Sequence, residues 1–91
     1  MNEILYFEIQ GRKVAIQTKR GNLICNETMS AVMEQLDPER FVRCHQSYII
    51  NFNYVFEIRR YEVVLMNKEV IPASRTYWDD LKRCFLKAIS G

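Results

Sequence analysis

The fold of this chain is decided by one central segment, FVRCHQSYIIN, which runs from Phe41 to Asn51. It opens with residues typical of a strand, passes through a polar island at positions 45–47, and ends in the apolar run of positions 48–50. This pattern predicts two extended stretches joined by a polar kink. Because the side chains of the island can bond phosphates or base edges, His45, Gln46 and Ser47 are candidate contacts for nucleic acid.

Upstream of this segment the pattern is that of short strands separated by turns. A run rich in apolar and aromatic residues covers positions 4–10, and Gly11-Arg12 interrupts it. A second strand is predicted from Val14 to Thr18 and a third from Leu23 to Cys25, with a tight basic turn at positions 19–22, where Gly and Asn tolerate positive φ. These three strands predict an antiparallel meander.

Two stretches have helical periodicity. The first places Met29, Val32, Met33 and Leu36 on one face, with Asn26 as a candidate N-cap and Asp37-Pro38 as the stop. The second starts near Thr76, with a possible capping box between Thr76 and Asp79 and an apolar face of Trp78, Leu81 and Phe85. The two helices are about forty residues apart, so no helix-turn-helix is predicted.

The remaining residues complete a mostly β fold. Strands are predicted at 54–59, 62–66 and 69–71, with Arg59-Arg60-Tyr61 at one hairpin end and a turn at Asn67-Lys68. A chain of 91 residues has room for one domain, 1–91. Its net charge of +2 does not by itself indicate nucleic acid, so the placement of the charges matters. Three scattered cysteines without a C-x-x-C favour a reducing cytosol over disulfides or zinc.

The central segment resembles the core signature of LytTR DNA-binding domains, a His-x-Ser-aromatic-apolar-apolar-Asn run preceded by an aromatic residue. A second stretch, from Ile71 to Arg75, is similar to the family's apolar-Pro-x-Ser-Arg signature before a terminal helix. The opening residues 4–8, followed by Ile16-Gln17-Thr18, match its first hairpin. The resemblance therefore covers essentially the whole chain, with three landmarks in order.

The resemblance implies an elongated arrangement of small antiparallel sheets with a C-terminal helix. It also implies a bacterial, cytoplasmic transcriptional regulator whose loops enter successive major-groove segments of double-stranded DNA, without a cofactor, a metal or a membrane span. Such domains usually follow a receiver domain controlled by a sensor kinase. The chain is then either the output domain of a two-component response regulator or a stand-alone regulator. Two copies on paired promoter repeats would gain avidity, so we expect a dimer on DNA.

Arg75 is the foremost candidate for reading a base. It precedes a predicted helix in a loop, and the guanidinium fork matches O6 and N7 of guanine. The plain alternative is a surface ion pair with Asp79. Gln46 keeps an amide fork that can bond adenine, although family members often have a basic residue or Asn there. For His45 a structural role in a polar turn and a phosphate contact are equally open.

The other candidate DNA contacts are basic or amide residues in strands and turns. Gln17 stands where many family members have His, and Asn51 closes the signature. Phosphate contacts are expected from basic residues of the two upstream turns and from one basic residue beside the polar island: Arg12, Lys13, Lys19, Arg20 and Arg43.

No enzyme is expected from this sequence. Cys44 and His45 are successive residues of a strand, so their side chains point to opposite faces and cannot easily bond each other. Asp79 and Asp80 are neighbours on a helix surface and do not face one another. The alternative function is a small β-rich protein-interaction module that pairs through a sheet edge. Such a module would need neither Gln46 nor Arg75, whereas a DNA reader would lose specificity without them.

Overall fold

A computed structural model describes residues 4–90, with the side chains of 88–90 excepted. Within this range the structure has eight strands and two helices, and a short 3₁₀ turn, Phe52–Tyr54, precedes the sixth strand. The elements in chain order are β1 (Ile4–Gln10), β2 (Lys13–Thr18), β3 (Gly21–Cys25), α1 (Met29–Gln35), β4 (Phe41–His45), β5 (Tyr48–Asn51), β6 (Val55–Arg59), β7 (Glu62–Leu65), β8 (Val70–Pro72) and α2 (Arg75–Ser90).

The strands form two antiparallel sheets. The larger sheet has the order β3-β2-β1-β5-β4, so the predicted meander is joined through β1 to the hairpin of the central segment. The smaller sheet has the order β6-β7-β8. The mostly β fold with two helices and small antiparallel sheets is confirmed, and the molecule measures 35 × 27 × 22 Å along its principal axes.

The larger sheet has a hydrophobic core on each face. On one face, α1 covers the core residues Phe7, Val14, Met29, Val32, Phe41 and Ile49. On the other face, the smaller sheet and α2 close over Leu5, Tyr6, Cys44, Ile50, Val55, Val63, Leu65, Ile71, Ala73 and Leu81. Successive strand residues alternate between faces, so adjacent Ile49 and Ile50 serve different cores, and each is fully buried. Burying each side chain stabilises the fold by about 1.5–3 kcal/mol.

Both helices begin one or two residues away from their predicted starts. The N-cap of α1 is Thr28, not Asn26, and its Oγ1 accepts a hydrogen bond of 3.1 Å from the Ala31 backbone N–H. Helix α2 begins at Arg75, so Thr76 lies inside the helix and the predicted capping box with Asp79 does not form. The predicted apolar face is confirmed, because Leu81 is buried and both Trp78 and Phe85 pack against the core.

The turns of the larger sheet lie at its two ends. The Ile9 backbone N–H donates to the Ser47 carbonyl over 2.9 Å, which places the β1–β2 turn beside the β4–β5 turn. The β2–β3 turn, Lys19-Arg20, lies at the other end, about 20 Å away for a strand the length of β1. Over residues 4–90 no helix has the length and apolar character needed to span a bilayer.

Candidate nucleic-acid interface

The two signature segments meet in space. The Ser74 backbone N–H donates to the Cys44 carbonyl over 2.9 Å, so the start of α2 lies against the end of β4. An open groove of about 490 Å³ between them is lined by Arg43, His45, Gln46, Ser74, Thr76 and Tyr77. We call this end of the molecule, residues 11–13, 43–47 and 74–77, the signature end.

Arg43 joins the β4–β5 turn to α2. Its Nη2 donates to the Gln46 carbonyl over 2.6 Å, and its guanidinium lies 5.6 Å from the centre of the Tyr77 ring. The Arg43 Nε is buried and has no hydrogen-bond partner among the described residues. Arg43 therefore holds the turn in place and still has donor capacity for a ligand.

His45 shapes the same turn. Its Nδ1 accepts a hydrogen bond of 3.0 Å from the Ser47 backbone N–H, and its ring contacts Tyr48 edge-on with centroids 5.6 Å apart. In the neutral ring an accepting Nδ1 leaves the proton on Nε2. The structural role is thus present, and the remaining nitrogen is a donor suited to a phosphate. Both backbone groups of Ser47 are engaged, its N–H with His45 and its carbonyl with Ile9.

Gln46 lies at the tip of the β4–β5 turn and is exposed. Its carbonyl accepts from Arg43, which fixes the backbone, while its side-chain amide has no hydrogen bond within the described chain. A free amide on a fixed backbone can present a donor and an acceptor together to a base edge.

Arg75 is exposed and is the first residue of α2. Within the described residues it forms no ion pair with Asp79; its guanidinium instead faces Tyr61 in the β6–β7 turn. The guanidiniums of Arg75 and, second, Arg60 lower the pKa of the Tyr61 hydroxyl, because each stabilises the phenolate.

The structure corrects the expectation for Asn51, which is fully buried. Its Nδ2 donates to the Ile4 carbonyl over 2.7 Å, and its Oδ1 accepts from the Asn53 backbone N–H over 3.0 Å. Both ends of the amide are therefore used inside the fold, and no atom is accessible to DNA. Asn51 ties β5 to β1 and starts the 3₁₀ turn. We therefore remove it from the candidate interface.

The candidates of the β2–β3 hairpin do not join the signature end. Gln17 and Lys19 line a separate groove of about 430 Å³ at the other end of the sheet, and Arg20 is in the same turn as Lys19. The Lys19 Nζ lies 4.8 Å from the centre of the Tyr54 ring. We call residues 17–20 with Asn51, Tyr54 and 66–69 the opposite end. By contrast, Arg12 and Lys13 are exposed at the signature end.

Cys44 is unavailable as a nucleophile in this fold. It is fully buried, its Sγ lies 3.6 Å from the Pro72 carbonyl, and burial raises the pKa of the thiol to about 12. A thiol with this pKa stays protonated near neutral pH, whereas the thiolate is the reactive form.

Three residues near the site were not singled out from the sequence as contacts: Tyr61, Ser74 and Tyr77. The Ser74 Oγ is buried without a partner in the described structure, and Tyr77 supports Arg43. Ser74 is part of the Arg75 signature and Tyr77 lies two residues after Arg75, so their position was a usable signal. Tyr61 gave no such signal, because its proximity to Arg75 arises only when the smaller sheet packs on α2.

The model of the LytTr DNA-binding domain family matches residues 1–85. The LytTr DNA-binding domain of a response regulator from Bacillus cereus superposes with a TM-score of 0.85, covering 92% of this chain and 82% of that one at 20% identity. That structural likeness supports the fold.

Curated relatives are longer proteins. The sensory transduction protein LytT of Bacillus cereus is 28% identical over 88 residues, which is 91% of this chain and 36% of the relative. The transcriptional regulatory protein YpdB of Escherichia coli (strain K12) is 27% identical over 82 residues, which is 84% of this chain and 34% of the relative. The chain thus spans about a third of the length of these relatives.

Proposed function

The chain belongs to the LytTr DNA-binding domain family, and we propose that it binds double-stranded DNA sequence-specifically through its signature end to regulate transcription. The observation that carries this proposal is the contact between Ser74 and Cys44, which brings exposed Gln46 and Arg75 to one end of the molecule. These two side chains come from segments that are far apart in sequence, and the backbone contact between the segments supports a shared role in binding.

The dimensions of the signature end suit a major groove. The β1–β2 and β4–β5 turns are separated by two strand spacings in the order β2-β1-β5-β4, which is about 10 Å. The major groove of B-DNA is about 12 Å wide and admits a two-stranded ribbon. In this arrangement the β4–β5 turn would enter the groove with Gln46 toward a base, while the β1–β2 turn would face the backbone.

Each exposed side chain of the signature end has a chemical role in this proposal. Arg75 would bond O6 and N7 of guanine, and Gln46 would bond N6 and N7 of adenine. Arg12, Lys13 and His45 would contact phosphates, which fix the register of the protein on the duplex. Each phosphate that a cation neutralises makes log K fall with log salt by about 0.9.

The wider context of the domain follows from its relatives. Because the chain matches only a third of proteins called sensory transduction or transcriptional regulatory proteins, we propose that it acts as the output domain of a cytoplasmic bacterial regulator. A receiver domain responding to a sensor kinase would then control it. Two domains on paired repeats would bind as a dimer on DNA. No catalytic step is proposed.

A protein-interaction module is the second candidate function, and one feature favours it. Strand β3 is an edge of the larger sheet, and its side chains Leu23 and Ile24 are 62% and 53% exposed. Exposed edge strands can pair with an added strand of another chain. This mode would use β3 and leave Gln46 and Arg75 without a role.

Selection of bound sequences from a random duplex pool tests the proposal. The parent chain should recover a recurrent motif, and Gln46→Ala and Arg75→Ala should each lose preference at a different position of it. Arg20→Ala, a basic residue at the opposite end, is the matched control and should keep the motif. Recovery of no motif by the parent chain would contradict sequence-specific binding and favour the interaction module.

A further inference from the structure

Tyr61 has a backbone conformation that a bulky residue rarely adopts. It lies in the two-residue turn between β6 and β7 with φ of +63°. Gly or Asn fills such a position with less strain, since a Cβ crowds the backbone at positive φ. Strained residues of this kind cluster at functional sites, so the side chain of Tyr61 requires an explanation beyond the turn.

The side chain of Tyr61 is held against the first turn of α2. Its backbone carbonyl accepts a hydrogen bond of 2.9 Å from the Ala73 N–H, which fixes the turn beside the residues that lead into the helix. Its ring meets Trp78 edge to face, with centroids 5.7 Å apart. Because Trp78 is three residues after Arg75, the two side chains lie on the same face of α2.

The side chain of Tyr61 therefore lies beside that of Arg75. The Arg75 guanidinium lowers the pKa of the Tyr61 phenol, and the Arg60 guanidinium lies 5.4 Å from the centre of the Tyr61 ring. Helix α2 itself supplies no anchor for Arg75, since the ion pair with Asp79 is not formed among the described residues. Tyr61 is thus the group from another element that the Arg75 side chain faces.

We propose that Tyr61 is a positioning residue, which holds the Arg75 guanidinium in the orientation that reads a base pair and so sets the strength of the preference at that position. This inference rests on the proposed DNA-binding function. One hydroxyl oxygen uses one of the five N–H donors of Arg75 and leaves donors on the guanidinium for guanine O6 and N7.

Restraint before binding explains why the effect should be specific. A free arginine side chain loses rotamer freedom when it contacts a base, and a side chain ordered in advance loses less. The effect of ordering one such side chain corresponds to about three- to tenfold in affinity. Only complexes in which Arg75 bonds its preferred base are stabilised in this way. The ratio of the affinities for the preferred and the substituted base pair should therefore change at one position of the motif.

The test compares Tyr61→Phe with the parent chain on duplexes carrying the selected motif. Phenylalanine keeps the ring that packs on Trp78 and removes the hydroxyl. Tyr54→Phe, a half-buried tyrosine at the opposite end, is the matched control. Dissociation constants are measured for the motif and for each single base-pair substitution of it.

We expect Tyr61→Phe to reduce the base preference by about three- to tenfold at the motif position where Arg75→Ala also reduces it. The preference at the other positions should stay unchanged. Adding Tyr61→Phe to Arg75→Ala should bring no further reduction. Equal flattening at every position, or a further reduction in the double variant, would overturn the positioning role and indicate a structural one. An unchanged preference in Tyr61→Phe would overturn only the role of Tyr61. A parent chain without any base preference would overturn the proposed function as well.

Discussion

The two ends of the larger sheet differ in what their polar groups bond. At the opposite end two polar side chains are satisfied inside the fold: the Tyr6 hydroxyl donates to Glu69 over 2.8 Å, and the Asn51 amide bonds two backbone groups. At the signature end the Gln46 amide is free within the described chain, and the Arg43 Nε and Ser74 Oγ are buried without partners there. The exposed Gln46 amide is therefore a group at this end that remains available to a ligand.

It follows that basic residues in a turn do not by themselves define an interface. Both ends carry two adjacent basic residues, Arg12-Lys13 and Lys19-Arg20. The signature end adds polar side chains from a second hairpin and from a helix start, whereas the opposite end adds those of the β7–β8 turn, Asn67 and Glu69. We interpret the opposite end as scaffold and the signature end as the binding surface, and substitutions at the two ends can test this distinction.

The strongest effect is expected at the scaffold residue Asn51. Asn51→Ala removes two hydrogen bonds and leaves the Ile4 carbonyl without its partner. We expect the free energy of unfolding to fall by about 2–4 kcal/mol, measured by urea denaturation. Asn22→Ala, at an exposed position of β3, is the control and should stay within about 0.5 kcal/mol of the parent. Equal stability of the two variants would contradict the scaffold role of the opposite end.

The second effect concerns base reading by Arg75. Arg75→Ala should weaken binding to the selected duplex by about 1–3 kcal/mol while leaving the free energy of unfolding nearly unchanged, because the side chain is exposed. Fluorescence anisotropy with a labelled duplex measures the change. Arg20→Ala should reduce the free energy of binding to this duplex much less. If the two variants weaken binding equally, the protein attracts DNA through its general positive charge, and the two ends contribute equally to DNA affinity.

Much of the fold was predictable because it depends on local pattern. Alternation of apolar and polar residues indicated the strands. The sequence also placed a polar turn directly before the apolar pair Ile49 and Ile50, and the β4–β5 hairpin has its turn there. The helix starts were less predictable. Asn26 and Thr28 are both good N-caps by type, and only the geometry at the Ala31 N–H decides for Thr28.

The candidate site was predictable only in part, since adjacency across strands is not a local property. The segments that carry Gln46 and Arg75 meet through the backbone contact between Ser74 and Cys44, whereas the joint role of the two side chains stays a prediction. Lys19 and Arg12 are close in sequence but lie at opposite ends of the sheet, because they flank the two ends of β2. The sequence predicts Asn51 as a polar contact to DNA, but its position in β5 directs its side chain into the interior of the fold. Tyr61 reaches Arg75 only through packing of the smaller sheet on α2.

A third, smaller effect concerns the phosphates of the DNA backbone. The double variant Arg12→Ala/Lys13→Ala should reduce the slope of log K against log salt by up to about 1.8, at about 0.9 for each phosphate that is no longer neutralised. The matched double variant Lys19→Ala/Arg20→Ala removes the same charge from the opposite end and should leave the slope nearly unchanged. Binding measured at several salt concentrations gives both slopes. A larger change in the second variant would move the interface to the opposite end.

The weakest effect is a titration that reports the contact between Arg75 and Tyr61 without DNA. Arg75 is the largest cause that lowers the pKa of Tyr61, because its positive charge and its hydrogen bond favour the phenolate. Replacing it by Gln removes the charge, so the pKa of Tyr61 should rise toward its ordinary value. The rise should be partial, since Arg60 also lowers this pKa and remains in place. NMR of tyrosine labelled at Cζ follows each phenol separately.

The same titration includes its own comparison between the ends. The Cζ signal of Tyr54, at the opposite end, should lie at the same chemical shift in the parent and in Arg75→Gln, because about a sheet length separates it from the substitution. A rise at Tyr61 alone shows that the guanidinium is held at the phenol in the free protein. An unchanged Tyr61 would mean that Arg75 is unrestrained before DNA arrives. The base specificity of the signature end would then depend on side chains that become ordered on binding. Gln46, whose backbone is fixed by Arg43, would be the residue that is in place to contact a base before DNA binds.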